Sequence, residues 1–134
     1  ANFLLNVGPM PDGRIQPEFV ERIEAVGRWM ARYGSSIHGT RAGPIGPRPW
    51  GVSTQRGDTV FVHVLEWADR MLALPPLERR VSAARAVRDG SAVPFTQDGG
   101  GVRLMLPERG GEPDVVVALT LGSAGRAGSA PGRR

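Results

Sequence analysis

Hydrophobic and polar residues alternate with different periods along the chain, and each period predicts a different element. Phe3, Leu4, Leu5 and Val7 form a compact apolar run broken only by Asn6, the pattern of a strand buried on both faces. Gly8-Pro9 ends the run, Pro11-Asp12-Gly13 carries turn chemistry, and Pro17 sits where a helix begins. From Pro17 to Tyr33 the apolar residues Phe19, Ile23, Val26, Met30 and Tyr33 recur at alternating intervals of four and three, with Val20 and Gly27 widening the stripe. This spacing predicts an amphipathic helix. Glu18 and Glu21 in its first turn and Arg28 and Arg32 in its last suit the macrodipole, Glu24 and Arg28 form a pair four apart, and Gly34 is expected as a left-handed stop. Trp29 and Tyr33 read as packing residues.

Residues 35–58 are dense in Gly and Pro, notably Gly43-Pro44-Ile45-Gly46-Pro47-Arg48-Pro49-Trp50-Gly51, and are expected to hold neither a helix nor a central strand. They read as a crossing between two units that Trp50 pins down. Period two then takes over: Val60, Val62 and Val64 fall on one face and Phe61, His63, Leu65 and Trp67 on the other, as in a central sandwich strand with two apolar faces. Leu72–Leu77, limited by Pro75-Pro76, suits a sheet edge. Val81–Arg88 is rich in helix formers, but the Asp89-Gly90 turn and the hairpin downstream favour a strand. Val93–Gln97 and Val102–Leu106 flank Asp98-Gly99-Gly100-Gly101, where Asp-Gly is expected to supply positive φ to a hairpin. Asp114–Leu121 is the closing strand. Residues 122–134 hold too little apolar material to order themselves.

Composition narrows the functions open to such a chain. A pI of about 11.1 invites a nucleic-acid reading. However, Arg126, Arg133 and Arg134 lie in the terminal stretch, which leaves the body with 14 arginines against 13 acids. Every basic residue is arginine, with abundant Ala, Gly and Pro, and no basic stripe with interleaved aromatics appears. The absence of cysteine removes disulfides and thiolate metal sites. His38 and His63 are too few for a common zinc site. Gly8-Pro9 and Gly99-Gly100-Gly101 lack the glycine spacing of a phosphate loop. No cofactor and no metal is expected, and no run of 18 apolar residues occurs to span a membrane.

The wording of the first forty residues is more specific. N-F-L-L-N-V-G-P-M-P-D-G-R-I, then E-R-I-E-A-V-G-R-W-M, then Y-G-S-S-I-H-G-T-R closely resembles the end of the catalytic domain of α-L-fucosidases, glycoside hydrolase family 29. The resemblance continues through Gly43 to His63 in the form G-P-x-x-P-x-P-W-G-x-S-T-x-x-G-D-T-V-F-V-H-V and weakens afterwards. It implies an α+β fragment: the last βα unit of a TIM-type (β/α)8 barrel followed by a mostly antiparallel β-sandwich. The expected divisions are 1–40 for the barrel end, 41–58 for the linker, 59–121 for the sandwich and 122–134 for a disordered tail. A complete barrel needs roughly 200 residues or more, so the chain is expected to be a piece of a longer enzyme.

The resembled family consists of retaining exo-glycosidases that remove terminal α-L-fucose. Retention needs a carboxylate nucleophile and a second carboxyl as acid then base, roughly 5 Å apart. The resemblance places both upstream of Ala1, so no catalytic residue is expected here. The acids present agree: Glu18, Glu21 and Glu24 belong to a helix face, Asp58, Asp89 and Asp98 to turns, and Glu108, Glu112 and Asp114 to a loop rim. Glu66, between Leu65 and Trp67, stands apart, although a partner arginine in the sheet would explain it. Asn6 is the candidate substrate-proximal residue, because an amide in a buried barrel strand needs a partner in another strand or in the pocket. His38 stands where the family commonly has tyrosine. The implied partners are the rest of the barrel and, through the intact enzyme, a fucosylated glycoconjugate. The competing reading is a non-catalytic β-sandwich used for carbohydrate binding or domain packing.

Overall fold

The computed structural model describes residues 4–67 and 69–122. They form two compact units, dividing after Gly34. In the first, α1 (Pro17–Tyr33) begins with Pro at its first turn and has Glu18 near its N-terminus and Arg32 near its C-terminus. Glu24 and Arg28 stand 3.8 Å apart on its surface. Gly34 does not stop the helix in the left-handed region. At φ −55° it is right-handed, its N–H reaches the Met30 carbonyl, and the chain tightens into a 3-10 turn at Gly34–Ser36. The left-handed glycine comes later, at Gly39, where φ is +69°. The apolar stripe of α1 is largely open to solvent: Phe19 is 41% exposed, Ile23 41% and Val26 52%. Only its last turn is covered, with Tyr33 buried and the Trp29 and Tyr33 rings 5.3 Å apart.

Residues 4–10 adopt no regular strand, contrary to the strand expected over Phe3–Val7. A barrel strand exists only through hydrogen bonds to neighbouring strands, and no strand of either sheet lies in this unit. Phe3, and all of the expected tail except Gly122, lie outside the described residues.

The second unit contains two antiparallel sheets. One has five strands in the order β1 (Arg41–Ala42), β2 (Gly51–Arg56), β3 (Thr59–Val64), β8 (Val115–Leu121), β5 (Val81–Ala86). The other is β4 (Met71–Leu74), β7 (Gly101–Met105), β6 (Phe95–Asp98). Val60, Val62 and Val64 of β3 and Val117, Leu119 and Leu121 of β8 join Leu72, Leu74, Val102 and Leu104 of the smaller sheet in one core. The other face of β3 is buried too, with Phe61 and His63 at 5% and 3% exposure, but the strand expected to run on to Trp67 ends at Val64, and Leu65 is exposed.

The stretch expected as a strandless linker over 41–58 is instead part of the larger sheet. Strand β2 lies between β1 and β3, and Arg56 pairs with Thr59 around a two-residue loop. Gly57 takes the first loop position at φ +55°, a conformation that suits a tight hairpin. The Gly/Pro segment before β2 is held by side chains. The Ser53 hydroxyl donates to the Ile45 carbonyl at 2.7 Å and accepts the Ile45 N–H at 3.0 Å, which seats Ile45 in the core. The Trp50 carbonyl accepts the N–H groups of Leu65 and Glu66.

Strand β5 is a strand despite its helical propensity, because Val81, Ala84 and Ala86 enter the core and its backbone pairs with β8. The Asp98–Gly101 hairpin forms, but the positive φ falls at Gly101, at +133°. A Cβ there would lie 2.1 Å from the Leu74 carbonyl oxygen. Gln97 joins the two sheets at one corner: its side-chain oxygen accepts the Val81 N–H at 2.8 Å and its amide donates to the Arg79 carbonyl at 3.1 Å.

Val64 is fully buried in this core. Val64→Asp is expected to lower the stability of the second unit by about 3–5 kcal/mol, the cost of an unpaired buried charge, read as a fall in the urea midpoint. An unchanged midpoint would show that β3 is not the central strand.

Candidate functional site

Asn6 is exposed and lies outside any strand, and its Oδ1 accepts the N–H of Val7 at 3.0 Å. The amide is thus used locally. His38 is also exposed, and its carbonyl accepts a bond from Arg56 Nη1 at 3.1 Å. Among the described residues no group of three His, Asp or Glu could hold a metal ion.

The most highly organised polar group in the chain surrounds His63. Its Nδ1 lies 2.9 Å from Asp114 Oδ2, and its Nε2 lies 3.3 Å from Thr54 Oγ1. Hydroxyl, imidazole and carboxylate follow one another in the order used for nucleophilic catalysis. Burial prevents that use: His63 is 3% exposed and Asp114 7%, and the Thr54 hydroxyl donates to the Ser36 carbonyl at 2.6 Å. The chain therefore ties β2, β3 and the start of β8 to the segment before β1. Period two placed His63 on the Phe61 face, but nothing local in the sequence pointed to Asp114, 51 residues away.

Several other acids serve turns and strand ends. The Arg14 guanidinium bonded to Asp12 holds that carboxyl below its ordinary range. The Ser91 hydroxyl does the same for Asp89, and the Arg103 guanidinium for Asp98. An acid catalyst needs a shift in the opposite direction. Asp58 is paired with Arg79 at 2.6 Å.

One surface depression combines aromatic and charged side chains. Pro49, Trp50, Leu65, Glu66, Trp67 and Arg109 line a shallow hollow of about 630 Å³. The Arg109 guanidinium lies 4.9 Å from the Trp67 ring centre. It is held there by bonds from Nε to the Glu112 carbonyl at 3.0 Å and from Nη2 to the Leu65 carbonyl at 3.1 Å. Arg109 is thus engaged elsewhere, and no partner arginine in the sheet reaches Glu66, whose carboxylate makes no hydrogen bond or ion pair among the described residues.

These features define an antiparallel sandwich domain preceded by an amphipathic helix. The α-L-fucosidase family model matches residues 1–35. An α-L-fucosidase from Branchiostoma floridae is 28% identical over 120 residues, covering 80% of this chain and 25% of the relative. Among solved structures, α-L-fucosidase isoenzyme 1 from Paenibacillus thiaminolyticus superposes with a TM-score of 0.81 at 31% identity, covering 90% of this chain and 31% of that one. The Thermotoga maritima α-fucosidase in complex with fucose has a TM-score of 0.74 at 24% identity and shows the same fold. The chain is similar to α-L-fucosidases, as the wording of its first forty residues indicated, and it spans about a quarter of the length of the Branchiostoma relative.

The lowered carboxyls set an acid limb to stability. A carboxyl held below its ordinary value stabilises the fold above its unfolded range, about pH 4, and the contribution is lost as pH falls through the folded value. Asp98→Asn is therefore expected to lower the thermal midpoint at neutral pH, with the difference from the parent chain shrinking as pH falls below the ordinary carboxylate range. A difference that persists undiminished in acid would assign the effect to something other than this carboxylate. In the buried chain, Asp114→Ala leaves the His63 Nδ1 without its acceptor and is expected to cost about 3 kcal/mol, measured as a shift in urea midpoint at constant m-value. A shift within error of zero would show that the pair adds nothing to the fold.

Proposed function

We propose that this chain is the C-terminal part of an α-L-fucosidase, a retaining exo-glycosidase that hydrolyses terminal α-L-fucose from glycoconjugates. Residues 1–40 form the end of the catalytic barrel, and the strands from Arg41 to Leu121 form the sandwich that follows it. One observation carries this reading. The stretch matched by the fucosidase family model, residues 1–35, contains a helix whose apolar stripe of Phe19, Val20, Ile23 and Val26 is exposed. An amphipathic helix gains its stability by burying that stripe, and the remainder of a barrel is a partner of the right chemistry and period. In that setting residues 4–7 gain neighbouring strands. Asn6 then lies near the C-terminal end of a barrel strand, where barrel enzymes hold their substrates.

The nucleophile and the acid/base of retaining hydrolysis, roughly 5 Å apart, belong to residues outside this segment. The three lowered carboxyls and the buried Asp114 described above support that division of labour. The fucosylated substrate is suggested by the relatives, one of which was solved with fucose.

The experiment compares the 134-residue chain with a longer polypeptide that contains it. The longer enzyme is expected to release the aryl group from an aryl α-L-fucoside, and the isolated chain is not. Turnover by the isolated chain, proportional to protein and abolished by replacing one of its own carboxylates, would overturn the assignment.

A further inference from the structure

We propose that the hollow lined by Trp50, Glu66, Trp67 and Arg109 is a carbohydrate subsite of the sandwich, which takes one pyranose unit of a neutral oligosaccharide. The inference stands apart from the fucosidase reading, because it uses only residues of the second unit. The hollow, about 630 Å³, is shallow, so a sugar unit seated in it could remain joined to a longer glycan.

Its chemistry is that of a sugar. A pyranose has apolar C–H faces and a rim of hydroxyls, so it needs flat apolar surface beside groups that accept and donate hydrogen bonds. Trp50 and Trp67 are half-buried indoles whose inner parts pack on the core. No hydrogen bond from either indole N–H is made to the described residues. Glu66 is exposed, its carboxylate makes no hydrogen bond or ion pair among the described residues, and its backbone N–H is fixed to the Trp50 carbonyl at 3.2 Å. That bond holds acceptor and indole side by side. Arg109 lies over the Trp67 ring and is anchored to two backbone carbonyls. A guanidinium has five N–H donors, so the anchoring bonds do not exhaust it, and its position is set before any ligand arrives.

Glu66 and Arg109 both line the hollow, yet no ion pair joins them among the described residues. Instead the guanidinium turns to the indole and to the Leu65 and Glu112 carbonyls, and the acceptor faces water. Charges of opposite sign kept apart beside aromatic surface fit a ring of hydroxyls, which satisfies both without transferring charge.

The test uses the 134-residue chain labelled with 15N and titrated with lactose and, separately, with 2′-fucosyllactose up to about 50 mM, a range that captures millimolar binding. The indole N–H resonances of Trp50 and Trp67 are expected to shift saturably with at least one of the two sugars. Glu66→Gln and Arg109→Gln change only surface groups and are each expected to weaken binding about tenfold. Met105→Ala, on the other sheet, is expected to leave it unchanged. Indole shifts that are absent with both sugars, or that survive both substitutions, would overturn the proposal. So would shifts that follow protein concentration without sugar, which would mark the hollow as a protein-docking face. None of these outcomes depends on fucoside hydrolysis, so this inference and the fucosidase assignment fail separately.

Discussion

The sandwich depends on one constraint, that strand β3 must be covered on both sides. Five of its six residues are buried, and a strand with two apolar faces is stable only when another layer lies against each. Val60, Val62 and Val64 supply the inward layer, which Leu72, Leu74, Val102 and Leu104 of the smaller sheet complete. Laterally, β3 is satisfied by β2 on one edge and β8 on the other. His63 makes the outward face polar at one point, and the fold meets that cost by giving its ring nitrogens Asp114 and Thr54. Once β3 is placed, β8 must be apolar, and β5 is drawn into the sheet against its own helical propensity.

That last point explains what could be read from the sequence. Period two from Val60 and the apolar run Val115–Leu121 are signals about as long as the elements themselves, and both strands occur there, although the first ends at Val64 rather than at Trp67. Strand β2 was hidden by its surroundings. Val52 and Thr54 are good strand formers, but the glycines and prolines of residues 43–51 led the whole stretch to be read as a crossing. The turn that should have revealed it, Gly57-Asp58, joins strands of six residues each. Gly34 and Gly101 show the related limit of glycine as a signal. The residue type marks where the chain bends, whereas neighbouring contacts decide which glycine takes positive φ.

The candidate sites were legible to different degrees for the same physical reason. Trp50 and Glu66 stood out as a large apolar residue in a polar crossing and a carboxylate between apolar residues, and both line the hollow. Arg109 did not stand out, because it reaches Trp67 from a loop 42 positions away and carries no periodic pattern of its own. The partner of His63 was invisible for the same cause. Separation along the chain erases such pairings, and only the antiparallel register of β3 with β8 restores them.

The two units differ in how far each satisfies itself. In the second, apolar side chains from both sheets share a single core, and Ser53, Gln97 and Thr54 tie backbone groups at its borders, although one carboxylate oxygen of the buried Asp114 makes no hydrogen bond among the described residues. In the first, the residues that should drive helix formation are those left in water, Phe19, Val20, Ile23 and Val26. At about 25 cal/mol per Å² of apolar surface, each such side chain forgoes on the order of 1 kcal/mol of burial, and a helix held by propensity and a surface ion pair has little to offset it. The exposed face of α1 is therefore where this chain leaves apolar surface in water, whereas the two sheets bury theirs against each other in one core.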